Sequence, residues 1–438
     1  MPGESRHVAA ANKPDALLPS ATRLRPFLGY NGGMNAICLV IDRLHAGHLG
    51  AYGNTWIDTP AMDRLASRAF TFDHALVDSP GLASLYRSYW AGWHALCPTE
   101  PPGGRPALAG LLREAGVNTA LLTDERALAQ NRLAADFDEL IQIDPPWEPQ
   151  PAREIEQTHL AQCFVQAIDW LQSAREPFLL WCHLAGLGTT WDAPPEYRRA
   201  YREPGDPEPP SSAEVPDLML QDDHDPDHLL GIAQAYAGQV SLLDECVGAL
   251  LEFVEGCPCG PETLLVLAAA RGFPLGEHRR VGPCDDALYG ELVHVPLMLR
   301  FPDGLGAAAR SHALVEPADL WATLLDWWRV SGRPPAPSAG SLMPIVRQEI
   351  EGCRDRLCLA GGDGERAIRT PAWYLRVAGQ PELFAKPDDR WEVNNVSDRC
   401  REVVECLRDA LSQYEQTLHS GQAADLPPLS EVLVSGLE

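Results

Sequence analysis

The sequence predicts an α/β protein: a large, mixed but mainly parallel sheet between helices, followed by a small antiparallel carboxyl-terminal subdomain. Three observations lead there. Helical and strand patterns alternate from residue 34 to about 354, the order of a sheet whose parallel strands are joined by crossover helices. The strands NAICLVID and LLVLAAAR are near-continuous apolar runs of the kind buried on both faces. From about 355 the pattern changes to short strands, AIRTPAWYLRVAG and PELFAKP, and then one last helix.

The elements follow in order. Residues 1–33 read as a flexible extension ending in Asn31-Gly32-Gly33, with Met34 opening the folded part. NAICLVID is a buried strand closed by a carboxylate, Asp42. TPAMDRLASRAF has helical apolar spacing, with Thr59 as N-cap and Pro60 at the first helical position. RPALAGLLREAGVNTALLTD reads as helix, glycine stop, strand and Asp124, and EIEQTHLAQCFVQAIDWLQSA as an amphipathic helix before the strand PFLLWCHLAG. Residues 198–228, rich in proline and acid, form a long surface connection. HLLGIAQAYAGQVSLLDECVGALLEFVEG is a long helix leading into LLVLAAAR, and ADLWATLLDWWRVSG is another, whose Trp327-Trp328 pair belongs to the core and its boundary. The expected divisions are an extension to 33, an α/β domain over 34–354, a subdomain over 355–418 and a tail or loosely docked arm over 419–438.

Composition narrows the function classes. A formal charge of −26 on 438 residues argues against nucleic acid or an anionic membrane as partner, because both select a basic face. The amino terminus lacks the continuous apolar core of a signal peptide, and no run reaches the roughly 20 apolar residues that span a bilayer. Twelve cysteines are scattered, Cys38 inside one apolar strand and Cys182 inside another. That usage suits a reducing compartment better than a disulfide framework, so a cytoplasmic location is expected. Cys257-Pro258-Cys259 is a CxC with no second pair nearby, a weak zinc signal.

Chemistry in an open α/β sheet sits at the carboxyl ends of the strands. In LLVLAAARGFPLGEH, Leu264 to His278, that end delivers Ala269, Ala270 and Arg271, with no base, nucleophile or metal ligand among them. DDHDPDHLL, residues 222–230, offers aspartates and histidines to a metal but lacks the register of a calcium loop. Its place before a long helix equally suits carboxylates at a helix amino end.

Taken together, the blocks resemble the sulfatase family of the alkaline phosphatase superfamily, from Met34 to about Gln416. NAICLVIDRLHAGHLGAYGNTWIDTPAMDRLASRAFTFDHAL resembles the family's opening strand, metal-binding aspartate, LGxYG turn and TPxxDRLA helix. WCHLAGLGTTWDAPPEY is similar to its DPHxPW segment, YAGQVSLLDECVGALLEF to its long helix, and LYGELVHVPLMLRFP, SLMPIV and ERAIRTPAWYLRV keep the family order. The resemblance implies an alkaline phosphatase-like (sulfatase) fold. It also implies hydrolysis of sulfuric esters by a divalent cation, a nucleophile made by oxidising a cysteine to formylglycine, and imidazole or cationic groups that bind the ester and protonate the leaving group.

Each requirement meets a substituted position. Asp42 matches the family's leading metal aspartate, and Arg43 follows where many members carry a second one. The Asp-His pair of the family's SDHG falls on Ala270 and Arg271, neither of which can ligate. LASLYRSYWAG, residues 82–92, stands for the signature CxPSRxxLLTG, so the cysteine position is Leu82, the proline Ser84 and the arginine Tyr86. Leucine cannot be oxidised to an aldehyde; Ser79, Ser84 and Arg87 lie nearby. The DPH histidine falls on Gly188, with His183 five residues earlier at a strand end, and the family's lysine upstream of LYGE has no counterpart beyond Arg279 or Arg280.

Two fates remain open for Arg271: its charge enters the vacated metal position and pairs with Asp42, or it points to solvent and Asp42 caps a turn. The function expected is that of a sulfatase-like pseudoenzyme with no cofactor, keeping a binding or regulatory role toward a protein partner, a second copy of itself or a small sulfated or phosphorylated ligand. The alternative is a hydrolase of a sulfate or phosphate ester, with calcium or magnesium, using a rearranged site built from Asp42, His45, His48, His183 and Arg271.

Overall fold

The structure is a computed structural model that describes residues 34–97, 106–283, 287–331, 338–420 and 426–437. The chain divides into two units, Met1–Gly32 and Gly33–Glu438, and the first, with the expected amino-terminal extension, lies outside the described residues.

Fourteen strands form three sheets among the described residues: β1 (Asn35–Asp42), β2 (Phe70–Leu76), β3 (Asn118–Thr123), β4 (Glu139–Gln142), β5 (Phe178–Leu184), β6 (Leu218–Met219), β7 (Thr263–Arg271), β8 (Arg280–Val281), β9 (His294–Arg300), β10 (Arg310–Val315), β11 (Leu357–Ala360), β12 (Arg366–Arg369), β13 (Trp373–Ala378) and β14 (Gln380–Ala385). The large sheet has the order β10-β2-β9-β7-β1-β5-β3-β4. It is parallel except for β9, which runs against both β2 and β7. Every residue of β1 and of β7 is buried, as the apolar runs require when helices cover both faces of a sheet.

The long helix Pro226–Gly256 and the helix His159–Ser173 pack on the sheet's flank, and both begin on side-chain caps. Thr158 accepts from the Ala161 N–H, and Asp225 accepts from the Asp227 N–H at 3.0 Å. The acidic run before the long helix is therefore its capped entry, the second of the two readings of DDHDPDHLL. Thr59 stands at the N-cap of Pro60–Ala66, yet its hydroxyl accepts instead from the Gly50 N–H, tying the LGAYG turn to the helix. The long connection after residue 198 is not featureless: β6 within it pairs with β8.

The small sheet, β11-β12-β13-β14, is antiparallel throughout. The helix Arg401–Ser420 covers it, burying Val403, Leu407 and Leu411 in a second core with Leu375 and Leu383. The described part of the segment expected as a tail is docked: Leu433 is buried, its carbonyl accepts from the Thr370 hydroxyl, and the Val432 carbonyl accepts from the Trp373 indole. Trp327 and Trp328 donate to the Asn35 and Met34 carbonyls at the start of β1.

Candidate functional site

The carboxyl ends of β1, β7 and β5 bring three of the sequence-derived residues to one place. Across the β1–β7 ladder a register shift after Ile41 sets Asp42 opposite Arg271, and on the other side Val40 stands opposite His183. Arg271 turns inward. Its Nε donates to Asp42 Oδ1 at 2.9 Å, its Nη2 to Oδ2, and its Nη1 to the Pro80 carbonyl at 3.3 Å. The fork thus grips both carboxylate oxygens, the strongest geometry open to this pair. Of the two fates considered for Arg271, the buried pair is the one observed.

Arg43 completes the enclosure. Its backbone is left-handed, with φ 64°, its N–H donates to Asp42 Oδ1 at 3.1 Å, and its Nε lies 3.8 Å from Oδ2. Burial works against ionisation of Asp42, but Arg271, then Arg43 and His183, outweigh it and hold the carboxyl below its ordinary range. Asp42 stays charged and fully occupied.

The segment expected to correspond to the family's nucleophile motif is helical. Leu82 opens the helix Leu82–Ala91, so Ser84 is a helical residue; Ser79 is buried, and its hydroxyl accepts from the Gly81 N–H. Tyr86 is fully buried and hydrogen-bonds His183 Nδ1, with its ring packed edge-on against Trp90. Burial lowers the pKa of His183 and raises that of Tyr86, so the pair is neutral.

Gly188 and Arg43 share one volume: a Cβ on Gly188 would stand 2.8 Å from Arg43 Cγ. The residue at 188 and the side chain at 43 are thus spatially coupled.

A divalent cation does not fit this centre. Its one carboxylate is held by a guanidinium at both oxygens, a second guanidinium stands beside it, and Ala270 offers no donor. Of the residues considered for a rearranged site, His45 and His48 follow Arg43 and pack their rings against other partners. Their rings lie 5.3 Å apart, with His48 on Tyr236 and His45 near His294 and Trp391. Arg279 lies outside this constellation, paired with the exposed Asp222.

Sequence reasoning missed a different group. Asp124, His159 and Cys163 are buried and present donor atoms within 4.8 Å of one another, the one such set of three or more among the described residues. Asp124 Oδ2 meets His159 Nε2 at 2.9 Å, Asp124 Oδ1 accepts from the Ala185 N–H at 2.6 Å, and Cys163 Sγ lies 3.8 Å from the imidazole. Burial, with Asp124 next, drives the Cys163 thiol far above its ordinary pKa, so without a cation beside it the thiol is protonated. The hydrogen bonds already join the ends of β3 and β5 to the helix His159–Ser173. The only sequence signal was the i, i+4 spacing of His159 and Cys163. The CxC pair places its sulfurs 2.7 Å apart and recruits no third ligand among the described residues.

Strand order, buried strand ends and the segment that bears Tyr86 define an alkaline phosphatase-like α/β protein, as the sequence predicts. The sulfatase family model matches residues 34–330, and the chain belongs to that family. An N-acetylglucosamine-6-O-sulfatase of Bacteroides thetaiotaomicron is 32% identical over 115 residues, 26% of this chain but only 20% of that relative's length. Among solved structures, the phosphonate monoester hydrolase of Agrobacterium radiobacter superposes with a TM-score of 0.71 at 17% identity, covering 90% of this chain and 96% of the other. A 2-O GAG sulfatase gives 0.70 at 18%, covering 90% and 95%. At these identities the structural likenesses show the fold. Among the described residues no helix is long and apolar enough to cross a membrane.

Proposed function

We propose that this chain is a sulfatase-like pseudoenzyme: it keeps the family scaffold and lacks metal- and formylglycine-dependent sulfuric ester hydrolysis. The observation that carries the reading is the bidentate grip of Arg271 on Asp42, which puts a positive charge where the family's cation would bind. Leu82 and Tyr86 support it independently, since one removes the nucleophile and the other replaces a cation with a buried neutral ring. The retained role is binding or regulation in the cytoplasm, the compartment that scattered free cysteines suit. It is exercised on a small anionic ligand, a protein partner or a second copy of the chain.

Calorimetric titration of metal-stripped protein with calcium, magnesium, manganese and zinc tests the reading, alongside hydrolysis of a panel of sulfate and phosphate esters. No micromolar binding that depends on Asp42 is expected, and no turnover. Tight binding that disappears in Asp42→Ala would overturn it. Binding that disappears instead in His159→Ala would assign the metal to the Asp124 group and leave the reading intact.

A further inference from the structure

Apart from the Asp42 centre, a cleft of about 460 Å³ opens between the large sheet and the small one, within the size range of small-molecule sites. Leu76, Val293, Pro387 and Trp391 supply much of its apolar wall; β2 and β9 contribute His74 and His294, and β12 contributes Arg369. None of Asp42, Arg271, Tyr86 or His183 lines it.

The charges around the cleft do not cancel. Arg310 is paired with Asp73, Lys386 with Glu392 at 2.9 Å, and Glu291 with His278 at 2.8 Å. Arg369 and Arg390 are left over. Arg369 is only 5% exposed, yet among the described residues it makes one hydrogen bond, a 3.4 Å contact with the Trp373 carbonyl, and no ion pair. Burial pulls its pKa down to about 10, with Glu392 and Tyr374 opposing, so it remains a full cation at neutral pH.

The nearest candidate counter-ion is already committed. Glu392 sits in left-handed backbone, φ 58°, and its carboxylate accepts from the Gly290 N–H at 2.8 Å and from Lys386. A buried arginine without a counter-ion is unfavourable, and strained backbone of this kind gathers at ligand sites. Arg390 stands over the Trp391 ring, 5.1 Å from its centroid, and Trp391 is 46% exposed at the mouth. A cleft with surplus positive charge, on a chain of net charge −26, selects an anion.

We propose that this cleft binds a small ring-bearing organic anion, whose carboxylate, sulfate or phosphate group pairs with Arg369 and whose ring lies against Trp391. The guanidinium supplies a fork that matches a planar or tetrahedral oxyanion. His74 and His294 are held neutral by burial, and each spends its N–H on a backbone carbonyl, that of His312 and of Asp73, so the remaining ring nitrogen accepts from a ligand hydroxyl and leaves the anion to Arg369. Trp391, half-exposed, presents a flat apolar surface that a sugar or aromatic ring can cover.

The test is calorimetric titration of the full chain with phenyl phosphate, phenyl sulfate and benzoate, against neutral benzyl alcohol. At least one anion is expected to bind with Kd below about 1 mM and at least tenfold more tightly than the neutral ring; which one does so identifies the anionic group. Arg369→Met should weaken it at least tenfold, and Trp391→Ala, an exposed change that spares the fold, about threefold or more. The proposal fails if no anion binds the parent protein better than benzyl alcohol does. It also fails if binding is lost in Arg271→Met and untouched in Arg369→Met, since the anion then occupies the old centre. If Arg369→Met does not fold, the anion preference of the parent and the Trp391→Ala loss decide the matter.

Discussion

Gly188 leaves Arg43 the space it occupies: a Cβ at 188 would lie 2.8 Å from Arg43 Cγ, an atom that moves only by a χ1 rotation within a buried site. Gly188→His is therefore expected to destabilise the protein by about 1–3 kcal/mol through overpacking. Replacing Arg43 as well, with alanine, should recover most of that loss, and a double-mutant cycle in urea would measure the coupling. Additive losses would show that the two substitutions are independent.

The Asp42–Arg271 pair is buried, so removing one partner strands the other. Arg271→Met is expected to cost about 3–5 kcal/mol at pH 7, whereas Asp42→Leu combined with Arg271→Met should cost much less than the two single changes together. The pH dependence has a definite sign. In the parent protein Asp42 has a lowered pKa because Arg271 outweighs burial, so its contribution is present above the unfolded value near 4 and is lost only as pH falls through the folded value. In Arg271→Met burial dominates and the carboxyl rises, so the stability gap between variant and parent should narrow as pH drops from 7 toward 5. A gap independent of pH would contradict this.

How far the sequence was legible depends on range. NAICLVID is β1 to the residue, because eight buried positions in a row leave one reading. FTFDHAL and HVPLMLR, the strands β2 and β9, were visible only as family blocks, since polar residues and a ladder irregularity interrupt the first and the second runs antiparallel. Strand ends were readable, but their register was not. Asp42 and Arg271 could be placed at the same edge, while the shift after Ile41 that sets them face to face is a property of the folded ladder. His45 and His48 are close to Asp42 in sequence and pack their rings against other partners, whereas Asp124 and His159 meet across 35 residues. The cleft at Arg369 joins β12 to the ends of β2 and β9, which no local pattern encodes.

Returning the family's metal pair should restore cation binding without restoring chemistry. Ala270→Asp with Arg271→His removes the guanidinium from Asp42 and adds two donors at the end of β7. Calcium or magnesium binding in the micromolar to millimolar range is expected by calorimetry, with no turnover of aryl sulfates, because Leu82 still provides no nucleophile. Failure to bind would show that Arg43 alone repels the cation, and adding Arg43→Asp would then be the decisive step.

The histidines beside the cleft set the acid limit. Burial, then the charge of Arg390, lowers the pKa of His48 to about 4, and burial lowers that of His294 to about 3. The folded protein refuses protons that the unfolded chain accepts below about pH 6.5, so their stabilising contribution is full above that value and is lost as pH falls toward 4. His278 acts in the opposite sense: Glu291 outweighs burial and raises its pKa, so its contribution is present below about pH 6.5 and lost above the folded value. Burial also lowers His45 and His74, which line the cleft, and His94 and His183, so six depressed groups stand against one raised, and the net loss between pH 6.5 and 5 should be several kcal/mol, roughly 1–2 for each strongly depressed group. Urea midpoints across that range should fall in the parent protein and fall less steeply in His294→Asn, while His278→Asn should steepen the decline. Parallel curves for all three proteins would place the acid limit elsewhere.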